Sequence, residues 1–373
     1  MPHKVGDTVI VHKDEYAYIS HPSITITPAG DWLAAFNHSV RRSPRMHPPG
    51  DPLFRTLVSR SRDRGATWEA PVFAPNFDEY GTECPGIACA PDGAVLLSVF
   101  RFAWYPLGLA RKLHGRGTPL ALWLPDADGG WTETFQDADW DRVRAPWARG
   151  RHGVYVHRST DDGVSFDETV ALDTAPYEHG YSRTGIVTLS DGRLAYVLGE
   201  KHKSARIYLV TSADNGKTWG RPTSVVEHPE YPFSEPDLAE IAPGELMCVL
   251  RESQTASHSL QVCRSMDGGR TWSVPEKTPM FGKPGHVIKL ADGRLLCSYG
   301  RRKAPFGVRA CLSADGGRTW DVANEIVLRD DFANGDLGYP TTIEYAPGRL
   351  FCCYYGQTPD GVTCVQGTWL DID

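Results

Sequence analysis

The chain has 373 residues, of which 41% are apolar and 23% are charged, so its composition is that of a folded protein and argues against disorder. With 37 Gly and 28 Pro, the sequence is interrupted too often for a bundle of helices. The net charge of -7 gives no signal for nucleic-acid binding and no long apolar run predicts a membrane span, so neither partner is expected. A chain of this length usually exceeds one hydrophobic core, which leaves several domains or one closed repeat architecture.

The N-terminal segment lacks the basic and apolar regions of a signal peptide. A cytoplasmic location is therefore expected, or secretion if the natural N-terminus has been trimmed. The nine Cys are an odd number and lie mostly in apolar, strand-like segments, which favours buried free thiols in a reducing compartment. No Cys or His spacing indicates a metal site, and no cofactor is expected.

A motif of the form S-x-D-x-G-x-(T/S)-(W/F), which we call the Asp turn, occurs five times along the chain. Its Asp can accept hydrogen bonds from nearby backbone N–H groups, and its Gly allows the positive φ of a tight turn. The Thr and Trp that follow favour the start of a strand. The motif therefore predicts a folding element, and its Asp residues are interpreted as neither metal ligands nor catalytic acids. The copies begin at Ser61, Ser159, Ser212, Ser265 and Ser313.

A second pattern, an apolar segment, a turn glycine and another apolar segment, occurs six times. The first residue and the glycine are always eight residues apart, which predicts a hairpin in every copy. An Asp turn follows each of the first five hairpins, so each unit has four antiparallel strands, as in a propeller blade. The pairs are Pro22 with Gly30, Pro85 with Gly93, Thr184 with Gly192, Pro236 with Gly244, Gly285 with Gly293, and Pro340 with Gly348.

The sixth unit has no Asp turn and ends with a third strand over residues 362–370. A strand over residues 8–13 would complete this blade and close the ring, which removes exposed sheet edges. The sequence therefore predicts an all-β fold: a six-bladed β-propeller of four-stranded antiparallel blades, closed by N- and C-terminal strands, in one domain over residues 1–373.

The second blade is longer than the others and is predicted to carry an insertion over residues 102–151 between its second and third strands. The insertion contains several Trp residues, which more often form the core of a small subdomain than a platform for sugars. It is expected to emerge beside the site, where it would form a wall or lid, or to provide a homo-oligomer contact.

The inner strands start, and their hairpin partners end, at one end of the blades, which we call the funnel, and the Asp turns lie at the other end. Charged side chains are concentrated in the funnel, where a purely structural propeller can carry small or apolar residues. Convergent Arg, Glu and His side chains predict a binding site for an anionic ligand. Residues expected to line this site without a more specific role are Glu83, Arg183, Glu200, His286 and Arg301.

These repeats resemble the sialidase (neuraminidase) superfamily of six-bladed propellers, and the resemblance covers nearly the whole chain. It implies a glycosidase for a terminal acidic sugar, with a Tyr nucleophile activated by a Glu, since a neutral phenol avoids repulsion by the substrate carboxylate. The segment DLGYP, which contains Tyr339, is similar to the nucleophile segment of the family. The segment SEP, which contains Glu235, is similar to the segment of the activating Glu.

The resemblance also implies three Arg residues that bind the substrate carboxylate, because their planar side chains can form paired hydrogen bonds. Arg251 in VLRE resembles the second, and Arg309 in FGVR resembles the third. The segment of the first reads SHP, so His21 stands near the position where an Arg is expected. Arg183, Arg41 and Arg42 are the available replacements, and the spacing does not choose among them. Asp51 is the nearest match to the general acid of the family, but its position favours a loop residue over the acid.

Three functions remain open at this point. The first is a sialidase-type hydrolase, and the second is a lyase of the same fold that acts on a glucuronate-containing glycan, with His21 as acid or base. The third is a propeller that binds an acidic glycan without catalysis. Structural roles are also open for individual residues: Arg251 and Arg309 are equally explained as ion pairs between blades, and His21 as a hydrogen-bonded structural residue.

Overall fold

The computed structural model describes residues 3–42, 50–75, 80–127, 130–134, 139–183, 185–200, 205–228, 233–252 and 258–373, without the side chains of 80–83, 151, 152 and 205. Six four-stranded antiparallel sheets follow one another along the chain and form the blades of a ring. The predicted all-β, six-bladed propeller is confirmed.

The first three blades take up the N-terminal half of the chain, after a separate first strand, β1 (His3–His12). Strands β2 to β5 form blade one, β6, β7, β10 and β11 form blade two, and β12 to β15 form blade three. In chain order they are β2 (Ala17–Ile26), β3 (Trp32–Val40), β4 (Arg55–Ser61), β5 (Val72–Phe73), β6 (Tyr80–Cys89), β7 (Val95–Pro106), β8 (Leu122–Pro125), β9 (Trp131–Thr134), β10 (Trp147–Ser159), β11 (Glu168–Ala171), β12 (Val187–Thr188), β13 (Leu194–Glu200), β14 (Ala205–Ser212) and β15 (Thr223–His228).

The remaining blades follow the same order, from the inner strand outward. Blade four has β16 to β19, blade five has β20 to β23, and blade six has β24 to β26. Their bounds are β16 (Phe233–Ala242), β17 (Glu245–Glu252), β18 (Ser259–Ser265), β19 (Glu276–Phe281), β20 (Gly285–Lys289), β21 (Leu295–Arg301), β22 (Phe306–Ser313), β23 (Ile326–Phe332), β24 (Gly338–Ala346), β25 (Arg349–Gln357) and β26 (Thr363–Ile372). A short 3-10 helix, Val322–Asn324, precedes β23.

The two ends of the chain close the ring in blade six. Strand β1 pairs with β26 in antiparallel register, with Val9 opposite Gly367, so the N-terminal strand supplies the outer edge of the blade. The prediction of closure by N- and C-terminal strands is therefore confirmed. The pairing joins two segments from opposite ends of the sequence and leaves no blade without its fourth strand.

The five Asp turns have the same local contacts, as in the third copy. Its Asp214 accepts hydrogen bonds from the backbone N–H (2.9 Å) and hydroxyl (2.6 Å) of Thr218, and the Ser212 hydroxyl accepts one from Gly216 N (2.9 Å). Gly216 has φ 83°, which a side chain would disfavour. Burial raises the pKa of Asp214, but the bonds within the turn outweigh it and bring the pKa to about 2. These Asp residues are therefore used locally. The other four are Asp63, Asp161, Asp267 and Asp315.

The core lies between neighbouring blades. Trp32 of blade one packs on Phe351 of blade six, with ring centroids 5.1 Å apart. Cys352 and Cys353 belong to different apolar clusters because successive side chains of β25 face opposite sides of the blade. All nine Cys are free thiols, and eight are buried, as expected for small apolar residues in strands.

The segment within blade two forms a small subdomain. Strands β7 and β10 pair out to Pro106 and Trp147, so they extend into both ends of the predicted insertion. Between them lie α1 (Leu107–His114) and the β8–β9 hairpin. Trp123 is buried inside this subdomain, whereas the Trp147 indole donates to Gly50 O (3.0 Å) and joins it to the loop before β4. Helix α1, the one α-helix of the described residues, is too short to cross a membrane.

Candidate active site

Four inner strands share an unusual backbone conformation next to the funnel. His21, Cys84, Glu235 and Tyr339 have φ angles of 53°, 48°, 47° and 49°, and each precedes a proline. Non-glycine residues rarely adopt this left-handed conformation, and a residue before proline normally prefers an extended one. The pairing register between each inner strand and its neighbour also shifts at this position, because proline has no N–H for the hydrogen bonds between the strands. Such strain is typical of functional sites, since the surrounding structure must hold it in place.

Tyr339 and Glu235 meet at the funnel although 104 residues separate them. The Tyr339 hydroxyl donates a hydrogen bond to the Glu235 carboxylate, and both groups are almost fully buried. Arg251 Nη1 contacts the other Glu235 oxygen and also donates to the Tyr339 hydroxyl (3.2 Å). The three residues predicted from separate segments thus form one connected cluster between blades four and six.

The charges of this cluster set the protonation states of Tyr339 and Glu235. Burial raises the pKa of Glu235, but the charge of Arg251 and the hydrogen bonds from Tyr339 and Arg251 outweigh it and bring the pKa to about 2. Burial, together with the negative charge of Glu235, raises the pKa of Tyr339 well above its ordinary value. At neutral pH the Glu235 carboxylate is therefore charged and accepts a hydrogen bond from the neutral phenol of Tyr339.

Arg302 is the second guanidinium at this cluster, and the sequence analysis missed it. Its guanidinium carbon lies 5.5 Å from the centre of the Tyr339 ring, and its Nε donates to Leu337 O (3.1 Å). The preceding residue, Arg301, was predicted to bind substrate, but its guanidinium lies instead over the Phe281 ring, 5.6 Å from the centroid. Successive side chains near a strand face opposite sides, so only one of two adjacent Arg residues can face Tyr339.

Arg309 is not beside Arg251, contrary to the expectation for a carboxylate clamp. It lies on β22, the third strand of blade five, and its Nη1 donates to the backbone oxygens of Val308 (3.2 Å) and Arg329. Its Nε lies 3.4 Å from a carboxylate oxygen of Glu325. All of these partners belong to blade five, because a third strand is separated from the axis by two others. The contacts fit a structural role.

His21 contacts the edge of the nucleophile candidate. The rings of His21 and Tyr339 are perpendicular, with centroids 4.2 Å apart, and His21 Nδ1 lies 2.8 Å from the Ser20 hydroxyl. His21 also packs on Phe54, which follows the loop of Asp51. The sequence prediction that His21 lies in the funnel is consistent with this placement.

Asp51 is held in place by an ion pair that the sequence did not indicate. Arg42 contacts both of its carboxylate oxygens, one of them at 3.0 Å, and Leu53 N donates to the same oxygen (2.8 Å). None of these contacts reaches Tyr339 or Glu235. The arrangement favours a structural role in the loop over the predicted role of general acid.

Arg183 and His286 are both buried, and the guanidinium carbon of Arg183 lies 5.6 Å from the centre of the Tyr339 ring. The Arg183 side chain is 1% exposed, and its Nη2 donates to Pro340 O. His286 accepts from Thr342 N (3.1 Å). Burial lowers the pKa of His286 to about 4, with Asp237 opposing this shift and Arg183 adding to it. That both residues bind substrate stays a prediction, since Tyr339 and Glu235 are buried to a similar degree.

Glu83 and Glu200 are the other two glutamates that were predicted to line the site, and the structure describes the side chain of Glu200 alone. The side chain of Glu83 lies outside the described part of the chain, as does residue Thr184. Glu200 forms an ion pair with Arg206 (2.8 Å). Its carboxylate also lies near His179 and Glu178, with ligand atoms of all three within 4.8 Å of one another. Within the described part of the chain these three side chains form the cluster with a geometry for a metal, but the charge of Arg206 already neutralises Glu200.

A cavity of about 290 Å³ opens beside Arg251 and Arg302. The other described residues of its wall are Phe281, Lys283 and His258, with Gly282 and Gly335. Arg251 and Arg302 connect this basic cavity to the Tyr339–Glu235 pair, and its charge suits the predicted anionic ligand.

Residues 147–352 match the family described as BNR repeat-like domain. The chain belongs to this family, within the sialidase superfamily of propellers. A sialidase from Bacteroides fragilis (strain YCH46) is 22% identical over 273 residues, which are 71% of this chain and 45% of that protein. The chain thus spans less than half the length of the curated relatives it matches.

Solved structures show the same fold over the whole chain. A protein of unknown function from Dyadobacter fermentans DSM 18053 has a TM-score of 0.81 at 24% identity and covers 100% of this chain and 99% of its own. The NanB sialidase from Streptococcus pneumoniae has a TM-score of 0.69 at 14% identity and covers 98% of this chain and 70% of its own. At such identities the likeness concerns the fold, so activity has to be argued from the site.

Proposed function

We propose that this protein is a glycoside hydrolase of the sialidase type that removes a terminal acidic sugar, with Tyr339 as nucleophile and Glu235 as its base. The observation that carries the proposal is the hydrogen bond from the Tyr339 hydroxyl to Glu235, with Arg251 in contact with both. A buried phenol next to a charged carboxylate has a partner ready to take its proton.

In the proposed reaction the Tyr339 oxygen attacks the anomeric carbon and its proton passes to Glu235. The bond from the anomeric carbon to the leaving oxygen breaks, and that oxygen takes a proton from an acid or water. Water then attacks the glycosyl–tyrosine intermediate and gives a proton to the conjugate base left by that acid, while Glu235 returns its proton to the Tyr339 oxygen. A neutral phenol suits a substrate that carries its own carboxylate, because two carboxylates would repel each other.

Arg251 and Arg302 are the proposed ligands of the substrate carboxylate. Arg302 thus takes the place that the sequence predicted for Arg309. Binding of a carboxylate to Arg251 would weaken the field that keeps the pKa of Glu235 low, so the pKa would rise and Glu235 would become a stronger base. Substrate binding and activation of the nucleophile would then be coupled through one side chain.

The test is the substitution Tyr339→Phe, assayed with fluorogenic aryl glycosides of N-acetylneuraminate and glucuronate. We expect turnover to fall to background because the attacking oxygen is lost. Tyr345→Phe is the matched control, since Tyr345 packs on Trp32 and lies away from the funnel. Full activity in Tyr339→Phe would refute the proposed role.

An elimination on a glucuronate-containing glycan is the second candidate, and the position of His21 favours it. Its ring lies 4.2 Å from that of Tyr339, where the family resemblance leads one to expect an Arg. In this reaction His21 or Tyr339 would take the proton next to the uronate carboxylate, the electrons of that C–H bond would form the double bond, and the leaving oxygen would depart with a proton from an acid or water. The product would contain a new carbon–carbon double bond. Its ultraviolet absorbance distinguishes elimination from hydrolysis, which forms no alkene.

A further inference from the structure

The cavity beside the reactive pair has an unusual balance of charges. Among its described wall residues, four are basic and none is acidic: Arg251, His258, Lys283 and Arg302. Its volume of about 290 Å³ is near the lower end of the range for small-molecule sites, about 300–1,000 Å³. A monosaccharide ring would therefore fit better than a long glycan, and the Phe281 ring offers an apolar wall for its C–H groups.

Two of the cations in this wall form hydrogen bonds only to neutral groups among the described residues. Lys283 Nζ lies 2.9 Å from His258 Nδ1, and an ammonium can only donate, so Nδ1 must accept and His258 must be neutral. Arg302 donates to Leu337 O and to the Tyr355 hydroxyl (3.4 Å). Arg251, in contrast, is already paired with Glu235. Lys283 and Arg302 are therefore the wall cations that can bind the anionic group of a ligand.

The surrounding charges limit what the cavity can bind. Burial lowers the pKa of Lys283, and Arg251 and Arg302 lower it further, while Glu252 and Glu235 oppose them. Arg301 and Lys303 also lie over the Phe281 ring, so the cations around the cavity outnumber these two carboxylates. This excess of positive charge favours an anionic group, such as the carboxylate of an acidic sugar.

We propose that Lys283 binds the carboxylate of the substrate together with Arg302 and supplies the cation that the funnel lacks at His21. This inference rests on the proposed function, because it assigns a substrate ligand to the same site. Lys283 lies between β19 and β20, at the entrance of blade five, whereas His21 lies in blade one. The carboxylate is therefore held from the blade-five side of Tyr339, and Lys283 determines specificity for an acidic over a neutral sugar.

The experiment measures binding without turnover, by calorimetry with free N-acetylneuraminate, free D-glucuronate and their uncharged methyl esters. The variants are Lys283→Gln, which removes the charge, and Lys283→Arg, which keeps it. Lys303→Gln is the control, because Lys303 is exposed, lies 5.8 Å from the centre of the Phe281 ring and does not belong to the cavity wall. Thermal melting of each variant reports whether the fold is intact.

We expect Lys283→Gln to weaken binding of the acid that the wild type binds by about tenfold to a hundredfold, the usual value of a hydrogen bond between charged groups. Lys283→Arg should restore most of this affinity, Lys303→Gln should change it little, and binding of the methyl ester should be the same in all variants. Unchanged acid affinity in Lys283→Gln, an equal loss for the ester, or no acid binding by the wild type would each overturn the inference.

The outcomes separate this inference from the proposed function. Activity that survives in Tyr339→Phe contradicts the role of Tyr339 as nucleophile. It does not change the effect of Lys283→Gln on the affinity of the protein for the acid. Conversely, loss of turnover in Tyr339→Phe supports the hydrolase, and unchanged acid binding in Lys283→Gln then shows that Lys283 is not a ligand of the substrate.

Discussion

The two ends of the blades contain carboxylates whose pKa is about 2, but for different reasons. At the end with the Asp turns, hydrogen bonds within the turn lower the pKa of Asp214, although burial raises it. In the funnel, burial also raises the pKa of Glu235, but Arg251 and Tyr339, which are 16 and 104 residues away in sequence, lower it. A low pKa alone therefore does not identify a functional carboxylate.

What distinguishes the two ends is where the partners come from. The Asp turns repeat the same short-range contacts five times, so each stabilises its own blade. The funnel cluster occurs once, joins different blades and sits on a strained backbone at Glu235 and Tyr339. Arrangements of this second kind cost stability and are maintained for a function.

The largest effect is expected from Glu235→Gln. The amide cannot take the proton of Tyr339, so kcat should fall by about 100-fold to 10,000-fold, the contribution of general base catalysis. Asp214→Asn is the matched control at the other end of the blades and should leave kcat unchanged. Steady-state kinetics on the same substrate check both variants, and an equal loss of kcat in both would abolish the distinction between the two ends.

The next effect is expected from Arg251→Met, which removes the charge that lowers the pKa of Glu235. Burial, which raises that pKa, remains, so the pKa should rise from its value of about 2, although the hydrogen bond from Tyr339 and the charge of Arg302 still lower it. Glu235 would then be protonated at higher pH as the solution is acidified, and the acid limb of kcat/KM should move to higher pH. KM should also rise by about tenfold to a hundredfold, because a charged hydrogen bond to the substrate is lost.

Arg309→Met is the control for this pH profile. Arg309 contacts only groups of blade five, so its loss should leave the acid limb in place. An acid limb that shifts equally in both variants would show that the field at Glu235 does not come from Arg251.

A smaller effect, on stability alone, is expected from Ser212→Ala in an Asp turn. The buried Ser212 hydroxyl accepts from Gly216 N (2.9 Å) and donates to Asp214 (2.8 Å). Its loss should lower the free energy of unfolding by about 1–2 kcal/mol, because a buried N–H loses its acceptor. Urea denaturation measures this change, and kcat should stay at the wild-type value. A loss of activity without a loss of stability would assign the Asp turns a functional role.

The sequence predicted the fold well because its signals are local and repeated. Five Asp turns and six hairpins at fixed spacing specify the blades without knowledge of distant contacts. The meeting of Tyr339 with Glu235 followed from the same register, since both precede the proline of an inner strand.

The remaining site residues depend on features that spacing does not reveal. Arg301 and Arg302 are adjacent, and only the side-chain directions show that Arg302 faces Tyr339. Arg309 matched a family segment, but its strand is the third of the blade. The burial of Arg183 follows from packing around the axis. Lys283 was missed because its proposed role in carboxylate binding depends on the charged residues around the cavity.

The most direct test of the central claim is to trap the intermediate on Tyr339. A fluorinated glycosyl fluoride of an acidic sugar that the protein turns over should react with the nucleophile and then hydrolyse slowly. Peptide mass spectrometry should find the sugar on the peptide that contains Tyr339, and no adduct should form in Tyr339→Phe. Turnover of the parent glycoside with the sugar attached to another residue, or with no adduct at all, would contradict a tyrosine nucleophile in this funnel.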